Sequence, residues 1–370
     1  GPFPGRRDRG GLPGGCTGRR ELRDVARATP NGRGRGTIGE MAPLNAVRAA
    51  SEVSVALAGG EGVVALETSV VSQGLPSPRN LECVERMTAA IRSAGAVPAW
   101  IGVMGGETVV GLSADELAAF AEPGRATKVA RRDLPFAIAS GGLGATTVSS
   151  TIWAAHRVGI RVGATGGIGG VHPRNGDGSG DVSADLIELA RTPILLVCSG
   201  PKSIVDPVAT ADRLEELGVA LIGYDCWRLP FFLAREAPVD LDDRVNDPAQ
   251  AARLEWALED LDARAAVLLC NPVPEAFAMD PATVEEAVRA CERIADREGV
   301  RGKAVTPYLL ACLSERTDGE SLEANLALLS FPKGDPLESG TYLAVVDKPA
   351  EVPFGVRSVR EQLSLHVIRG

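Results

Sequence analysis

Two hydrophobic periods alternate along residues 46–330. Short apolar runs of strand type are GVVALE within GVVALETSVV (62–71), AVPAWIGVM (96–104), IRVGAT (160–165), PILLVC (193–198), VALIGY (219–224) and AAVLLC (265–270). Between them lie segments whose apolar residues recur at helical spacing, as in Leu81, Val84, Met87, Thr88 and Ile91 across 80–93. This pattern predicts helices over 145–158, 183–191, 210–218, 249–261, 281–298, 306–316 and 321–330. Ser113 with Glu116 three residues on has the form of a capping box and starts a further short helix. Gly105-Gly106 between AVPAWIGVM and ETVVGL predicts a strand pair. Strands alternating with helices of about 10–15 residues specify βαβ units. The fold class expected is α/β, a three-layer α/β/α arrangement with a largely parallel sheet. No period of roughly 20–50 residues repeats, which argues against a solenoid.

The flanks read differently. Residues 1–40 hold nine Arg and four acids among many Gly and Pro, with no apolar periodicity. Such a composition buries too little surface to offset its ordering entropy, so residues 1–45 are expected to be a disordered extension. Met41 follows it, as a natural start after an upstream extension would. Residues 46–330 form the expected catalytic domain. Residues 331–370, with prolines at 332, 336, 349 and 353, form a tail of weak periodicity.

Charge and cysteine content narrow the function. A formal charge of −9 offers no net positive field to neutralise phosphates, against nucleic acid as the main partner. No apolar run approaches the roughly 20 residues that span a bilayer. The seven cysteines, at 16, 83, 198, 226, 270, 291 and 312, include no CxxC pair and accompany only three His. They are expected to be reduced, buried thiols of a cytoplasmic protein rather than zinc ligands.

Candidate chemistry concentrates between Gly163 and Ser203. GATGGIGGVH (163–172) ends in a glycine cluster closed by His172. Backbone amides freed by glycine can surround an anion, and a tight structural turn uses the same residues. The loop lacks the GK[ST] of a Walker A motif and does not match the dinucleotide fingerprint. Asp181 and Asp185 flank Ser183, either as an oxygen site for Mn²⁺ or Mg²⁺ or as acids and a cap at a helix start. Lys202 follows an apolar strand, where open parallel sheets bind ligands and where desolvation can make an amine nucleophilic. Glu67 also ends a strand, beside Thr68 and Ser69, as a general acid or a hydrogen-bonded cap.

Assembled in order, these residues resemble the pseudouridine-5′-phosphate glycosidase family. The resemblance is carried by ALETSVVSQGLPSPRNLE (65–82), KVARRDLP (128–135), GATTVSST (144–151), ATGGIGGVH (164–172), DVSADLIELARTP (181–193), VCSGPKSIVD (197–206), NPVPE (271–275), RGKAVTP (301–307) and SLEANLALL (321–329). It covers roughly 50–330 and implies an α/β/α homotrimer using a divalent metal, typically Mn²⁺. The implied reaction is reversible cleavage of pseudouridine 5′-phosphate to uracil and ribose 5-phosphate. By the same resemblance Glu67 is the proton donor, Lys202 the covalent nucleophile and Asp181 the metal ligand. Ser183, Ala184 and Asp185 line the substrate, Lys128 and the backbone around Val148 contact it, Thr165 and His172 lie near phosphate, and Asn325 faces the uracil.

Three departures stand out. Thr68-Ser69 inverts the family's Ser-Thr order, Pro201 replaces a small residue, and LALLSFPKGDPLESG leaves the pattern where an Asn-rich step and a final helix are usual. Two other functions suit the same residues: a Schiff-base lyase or aldolase of phosphosugars, or an impaired homologue that only binds pentose phosphates or nucleotides.

Overall fold

Every residue of Val63–Glu67 is buried, which requires a central strand covered on both faces. In the computed structural model the described residues are 46–173 and 181–329, with two-residue strands at 346–347 and 365–366. The expected extension 1–45 and the rest of the 331–370 tail lie outside the described residues. The chain runs β1 (Val47–Ala49), α1 (Ser51–Ala58), β2 (Val63–Glu67), α2 (Arg79–Ser93), β3 (Val97–Met104), β4 (Glu107–Val110), α3 (Ala114–Ala121) and β5 (Thr127–Val129). Next come α4 (Leu134–Ser140), β6 (Gly144–Thr146), α5 (Val148–Arg157), β7 (Val162–Ala164), α6 (Ala184–Leu189), β8 (Leu195–Cys198) and α7 (Pro207–Glu216). After β9 (Ala220–Tyr224), β10 (Asp243–Val245), α8 (Pro248–Asp260) and β11 (Val267–Cys270) follow α9 (Pro281–Arg297), α10 (Val305–Arg316) and α11 (Glu320–Leu329). A separate antiparallel pair joins β12 (Val346–Asp347) to β13 (Leu365–His366).

The main sheet has the order β1-β4-β3-β2-β7-β8-β11-β9-β10, with β5 and β6 attached beside β3. Its pairings are parallel except those of β4 and β6 with β3. The alternation along β2 divides the core. Val64 and Leu66, with Trp100, face a cluster that includes Met87, Ile91, Val288, Leu309 and Leu328 from α2, α9, α10 and α11. Val63 and Ala65, with Ile101, face Ile152, Leu186 and Leu214 from α5, α6 and α7. Each large aliphatic side chain so buried contributes about 1.5–3 kcal/mol. The helices therefore cover both faces, as the three-layer α/β/α class requires.

Strand order also places the chemistry. From β2 the chain builds outward through β3, and from β7 it builds the other way through β8. The crevice between β2 and β7 is a switch point of the kind at which open α/β sheets bind ligands. Glu67 ends β2, Thr165 follows β7 and Lys202 lies four residues beyond β8.

Most expected elements are present, including the Ser113–Glu116 capping box and the hairpin, whose Gly105 and Gly106 both have positive φ. Two expectations are corrected. The helix expected over 145–158 begins at Val148, because Gly144–Thr146 is drawn into the sheet between β3 and β5. The expectation of uniformly reduced cysteines fails at Cys291 and Cys312, which form a disulfide joining α9 to α10. They are 21 residues apart in sequence, and the packing of the two helices brings their Cα atoms to 5.8 Å. Such cross-links are rare in cytosolic proteins. Cys83 remains a thiol, and burial pushes its pKa up to about 12, which leaves it inert.

Gly200 and Gly218 provide a stability test, since both have φ +74°. A Cβ on Gly200 would lie 1.9 Å from the Pro230 carbonyl oxygen, whereas nothing lies within 4 Å of one on Gly218. Gly218→Ala should cost about 1 kcal/mol for the left-handed backbone alone. Gly200→Ala should cost about 3 kcal/mol or more, because backbone must move. Urea unfolding of the two variants measures the difference, and equal losses would contradict the packing described.

Candidate active site

Glu67 is directed by hydroxyl groups. Its carboxylate accepts from Ser69 Oγ at 2.5 Å and from Thr165 Oγ1 through its other oxygen, with the side chain almost wholly buried. Thr68 fixes the strand end behind it, donating to the Ile101 carbonyl at 2.7 Å and accepting from the Thr146 amide at 3.0 Å. The inverted Thr68-Ser69 pair thus has divided roles: the threonine anchors the sheet and the serine holds the acid.

The glycine segment after β7 prolongs the sheet. Thr165 N donates to Val197 O, Ser199 N to Gly166 O, Ile168 N to Gly200 O, Lys202 N to Ile168 O and Asp206 N to Val171 O, at 2.8–3.1 Å. This ladder fixes the backbone of Lys202 against the loop. The glycines are needed for close approach. Added Cβ atoms would lie 2.8 Å from Leu328 at Gly166, 2.7 Å from Phe232 at Gly167, 2.4 Å from Ser183 Oγ at Gly169 and 2.3 Å from Thr210 Oγ1 at Gly170. The amides of Thr165, Ile168, Gly169, Val171 and His172 all donate within the protein. The four glycines of the cluster therefore serve close packing.

Asp185 also joins two parts of the site. Its two oxygens accept from the amides of Ser149 at 2.9 Å and Gly169 at 3.0 Å, while Ser183 Oγ caps the Asp185 amide at 3.2 Å. The carboxylate thereby ties the start of α5 to the glycine loop. Val148 buries its side chain in the core, and Thr165 donates its hydroxyl to Glu67.

The remaining candidates converge. Glu67, Lys128, His172, Asp181, Lys202 and Asn325 line one cavity, together with Ser183, Ala184 and the edge of Asp185. Asp181 is exposed on its rim, and its carbonyl accepts from the His172 amide at 2.9 Å. Among the described residues no group of three His, Cys, Asp or Glu is arranged to hold a metal. A single carboxylate still suits a hydrated Mg²⁺- or Mn²⁺-like ion, which keeps several waters and needs one or two protein oxygens. Burial, then the adjacent Lys202 ammonium, lowers the Lys128 pKa against the pull of Asp185, Glu67 and Asp181. Burial likewise lowers that of His172, opposed by Asp181, so the imidazole is neutral at pH 7. Val70, Phe232, Pro307, Leu310 and Leu329 make the apolar wall of the same cavity.

Several wall residues were not anticipated: Gln73, Thr147, Phe232 and Thr306. Phe232 has a left-handed backbone, φ 56°, and packs on Gly166 and Gly167. Its sequence neighbourhood carries no corresponding signal. Gln73 and Thr306 lie inside the blocks 65–82 and 301–307, where their presence could have raised the question.

A parallel sheet with a carboxylate, two amines and an amide gathered at its switch point is the site of a small-molecule enzyme. The chain belongs to the indigoidine synthase A-like protein family, whose model matches residues 52–331. It is 45% identical over 279 residues to a pseudouridine-5′-phosphate glycosidase of Hahella chejuensis, covering 75% of this chain and 92% of that relative. The corresponding enzyme of Escherichia coli is 44% identical over 279 residues, covering 75% and 89%. Among solved structures, an indigoidine synthase A-like protein from Thermotoga maritima superposes with a TM-score of 0.69 at 36% identity, covering 76% of this chain and 91% of that one. A prealnumycin C-glycosynthase in complex with ribulose 5-phosphate superposes with a TM-score of 0.69 at 40% identity, covering 77% and 92%. Among the described residues no helix is long and apolar enough to cross a membrane.

The lowered Lys128 pKa sets a pH dependence. A protonated Lys128 favours anions, and that contribution disappears as pH rises through a value below the ordinary lysine 10.5. Sulfate, doubly charged throughout, should bind progressively more weakly between about pH 7 and pH 10. Lys128→Arg stays charged over that range, so the affinity ratio of variant to wild type should climb with pH. A constant ratio in calorimetric titrations would show that Lys128 does not titrate there.

Proposed function

We propose that this enzyme reversibly cleaves the C-glycosidic bond of pseudouridine 5′-phosphate, giving uracil and ribose 5-phosphate. The observation that carries the reading is the convergence of Glu67 and Lys202, from the ends of β2 and β8, on one cavity that also holds Asn325. The names of the similar proteins, a pseudouridine-5′-phosphate glycosidase and a C-glycosynthase, support the same bond class.

The chemistry demands such residues. In pseudouridine, ribose C1′ is bonded to carbon C5 of uracil, so the ordinary device of protonating a leaving heteroatom is missing. Glu67, entering as the carboxylic acid, gives its proton to the ring oxygen as the C1′–oxygen bond breaks and the sugar ring opens, and the two hydroxyls hold the carboxylate that remains. Lys202 gives up a proton to the carboxylate so formed, and its amine nitrogen bonds to C1′. Protonation at C5 expels uracil as the C1′–nitrogen bond becomes an iminium, which water hydrolyses to ribose 5-phosphate and free Lys202. One difficult step is thus divided into easier ones. Lys128 offers its charge to the phosphate and Asn325 its amide to the uracil, while the apolar wall excludes water from the base.

Asp181 is the residue proposed to hold the divalent ion, Mn²⁺ by resemblance, which would supply positive charge at the cavity rim. The assembly proposed is a homotrimer and the compartment the cytoplasm.

Wild-type protein incubated with pseudouridine 5′-phosphate and Mn²⁺ should release uracil. Lys202→Ala should lower that rate about a thousandfold or more and abolish any borohydride-trapped adduct, with binding of ribose 5-phosphate largely kept. Absence of uracil from folded, metal-loaded wild type would refute the reaction, and an active Lys202→Ala would refute the covalent route.

Asp181→Asn should raise the Mn²⁺ concentration needed for half-saturation about tenfold or more. Direct Mn²⁺ binding, followed by the loss of the free-ion spin-resonance signal, measures this without reference to turnover. Unaltered binding would remove Asp181 as the ligand.

A further inference from the structure

Gln73 belongs to the single π-helical turn Val70–Gly74 that follows Glu67, and it lines the same cavity. Its amide has one partner. Nε2 donates to the carbonyl oxygen of Ala126 at 3.0 Å. That carbonyl can only accept, so the orientation of the amide is determined and the nitrogen must be the atom facing Ala126. The other arm, Oε1, is buried and has no donor among the described residues. Only Thr108 Oγ1 and Asn271 Nδ2 share that condition among the described side chains, and neither residue lines the cavity. A buried acceptor without a donor is costly, and proteins rarely keep one except where a ligand completes it.

The missing partner must be a hydrogen-bond donor. At neutral pH a phosphate is chiefly an acceptor, which removes the anionic end of the substrate. The turn that carries Gln73 packs against α10, whose Pro307 and Leu310 belong to the apolar wall of the cavity with Val70. A flat ring bearing N–H groups suits that wall better than a hydroxyl-rich sugar. The uracil of pseudouridine 5′-phosphate carries two such groups, N1–H and N3–H, because the sugar is attached through carbon. The terminal amide torsion of glutamine is soft. A small turn can therefore direct Oε1 to a ring N–H while Nε2 keeps the Ala126 carbonyl.

We infer that Gln73 is a specificity-determining residue whose side-chain carbonyl accepts a hydrogen bond from a ring N–H of the base. The inference rests on the function proposed above and adds to it the group that recognises the base from the Glu67 side.

The test combines protein variants with altered substrates: pseudouridine 5′-phosphate and its N1-methyl and N3-methyl derivatives, with free base measured as product. Wild type should use the parent compound with kcat/KM about tenfold or more above one of the two methyl derivatives, because that derivative leaves Oε1 without its donor. Gln73→Met retains length and lacks the acceptor. It should lose activity toward the parent and not toward that derivative, so the discrimination disappears. Gln73→Glu keeps an acceptor oxygen and should retain the discrimination, which guards against a Met variant that folds poorly. Wild-type discrimination against neither derivative, or equal discrimination by wild type and Gln73→Met, overturns the role of Gln73 while leaving the reaction intact. Failure of wild type to release uracil from the parent compound overturns the reaction itself, and this inference with it.

Discussion

The site depends on a backbone ladder that continues beyond the formal ends of β7 and β8. Val197 O, Gly166 O, Gly200 O and Ile168 O accept in turn from the opposite segment, so Lys202 is carried on sheet-like backbone. Such an extension is possible only if the paired segments pass close to everything above and below them. Gly166 and Gly167 let Leu328 and Phe232 press onto the ladder from one side, and Gly169 and Gly170 admit Ser183 and Thr210. Rigidity of this kind matters because a nucleophilic amine on a long side chain is useful only if its root is fixed.

The same ladder connects groups that have no contact in sequence. Thr165 belongs to it through its amide and reaches Glu67 through its hydroxyl. Gly169 belongs to it and is clasped by Asp185, which also holds the first turn of α5 at Ser149. The positions of acid, amine and helix start are therefore coupled. A displacement of the loop would change the direction of the Glu67 carboxylate and the location of Lys202 together. Electrostatics adds to this coupling, because Lys128 and Lys202 repel within one cavity and Asp185, Glu67 and Asp181 offset part of that repulsion.

The elements were legible wherever local chemistry and tertiary demand agree. Ser113 and Ser183 cap the helices that their spacing announces, and the buried runs at 62–67 and 193–198 became central strands. Most of the candidate site was legible too, since the blocks that carry the family resemblance contain Glu67, Lys202 and Asn325, and the fold brings these into one cavity. What was hidden depends on long-range partners. Asp181 and Asp185 are equivalent in sequence, and only the amides of Ser149 and Gly169, 36 and 16 residues away, turn Asp185 inward. A glycine that permits contact with Thr210 looks the same in sequence as one that surrounds an anion. Likewise β6 is a strand only because β3 and β5 flank it, and Cys291 meets Cys312 only because α9 lies against α10.

The C-terminal wall shows how these constraints meet. Asn325, Leu328 and Leu329 on α11 all precede the point at which LALLSFPKGDPLESG leaves the family pattern. Leu328 and Leu329 approach Gly166, and Asn325 and Leu329 line the cavity. The Arg79–Glu323 ion pair holds the other face of α11 to α2, the helix that follows the Glu67 turn. That pair is partly exposed and contributes little by itself. The apolar burial of Leu326, Leu328 and Leu329 stabilises the helix more, at about 1.5–3 kcal/mol for each side chain. The glycine loop that aligns Lys202 also receives the end of α11. The apolar wall and the backbone of Lys202 are thus two sides of one packing solution.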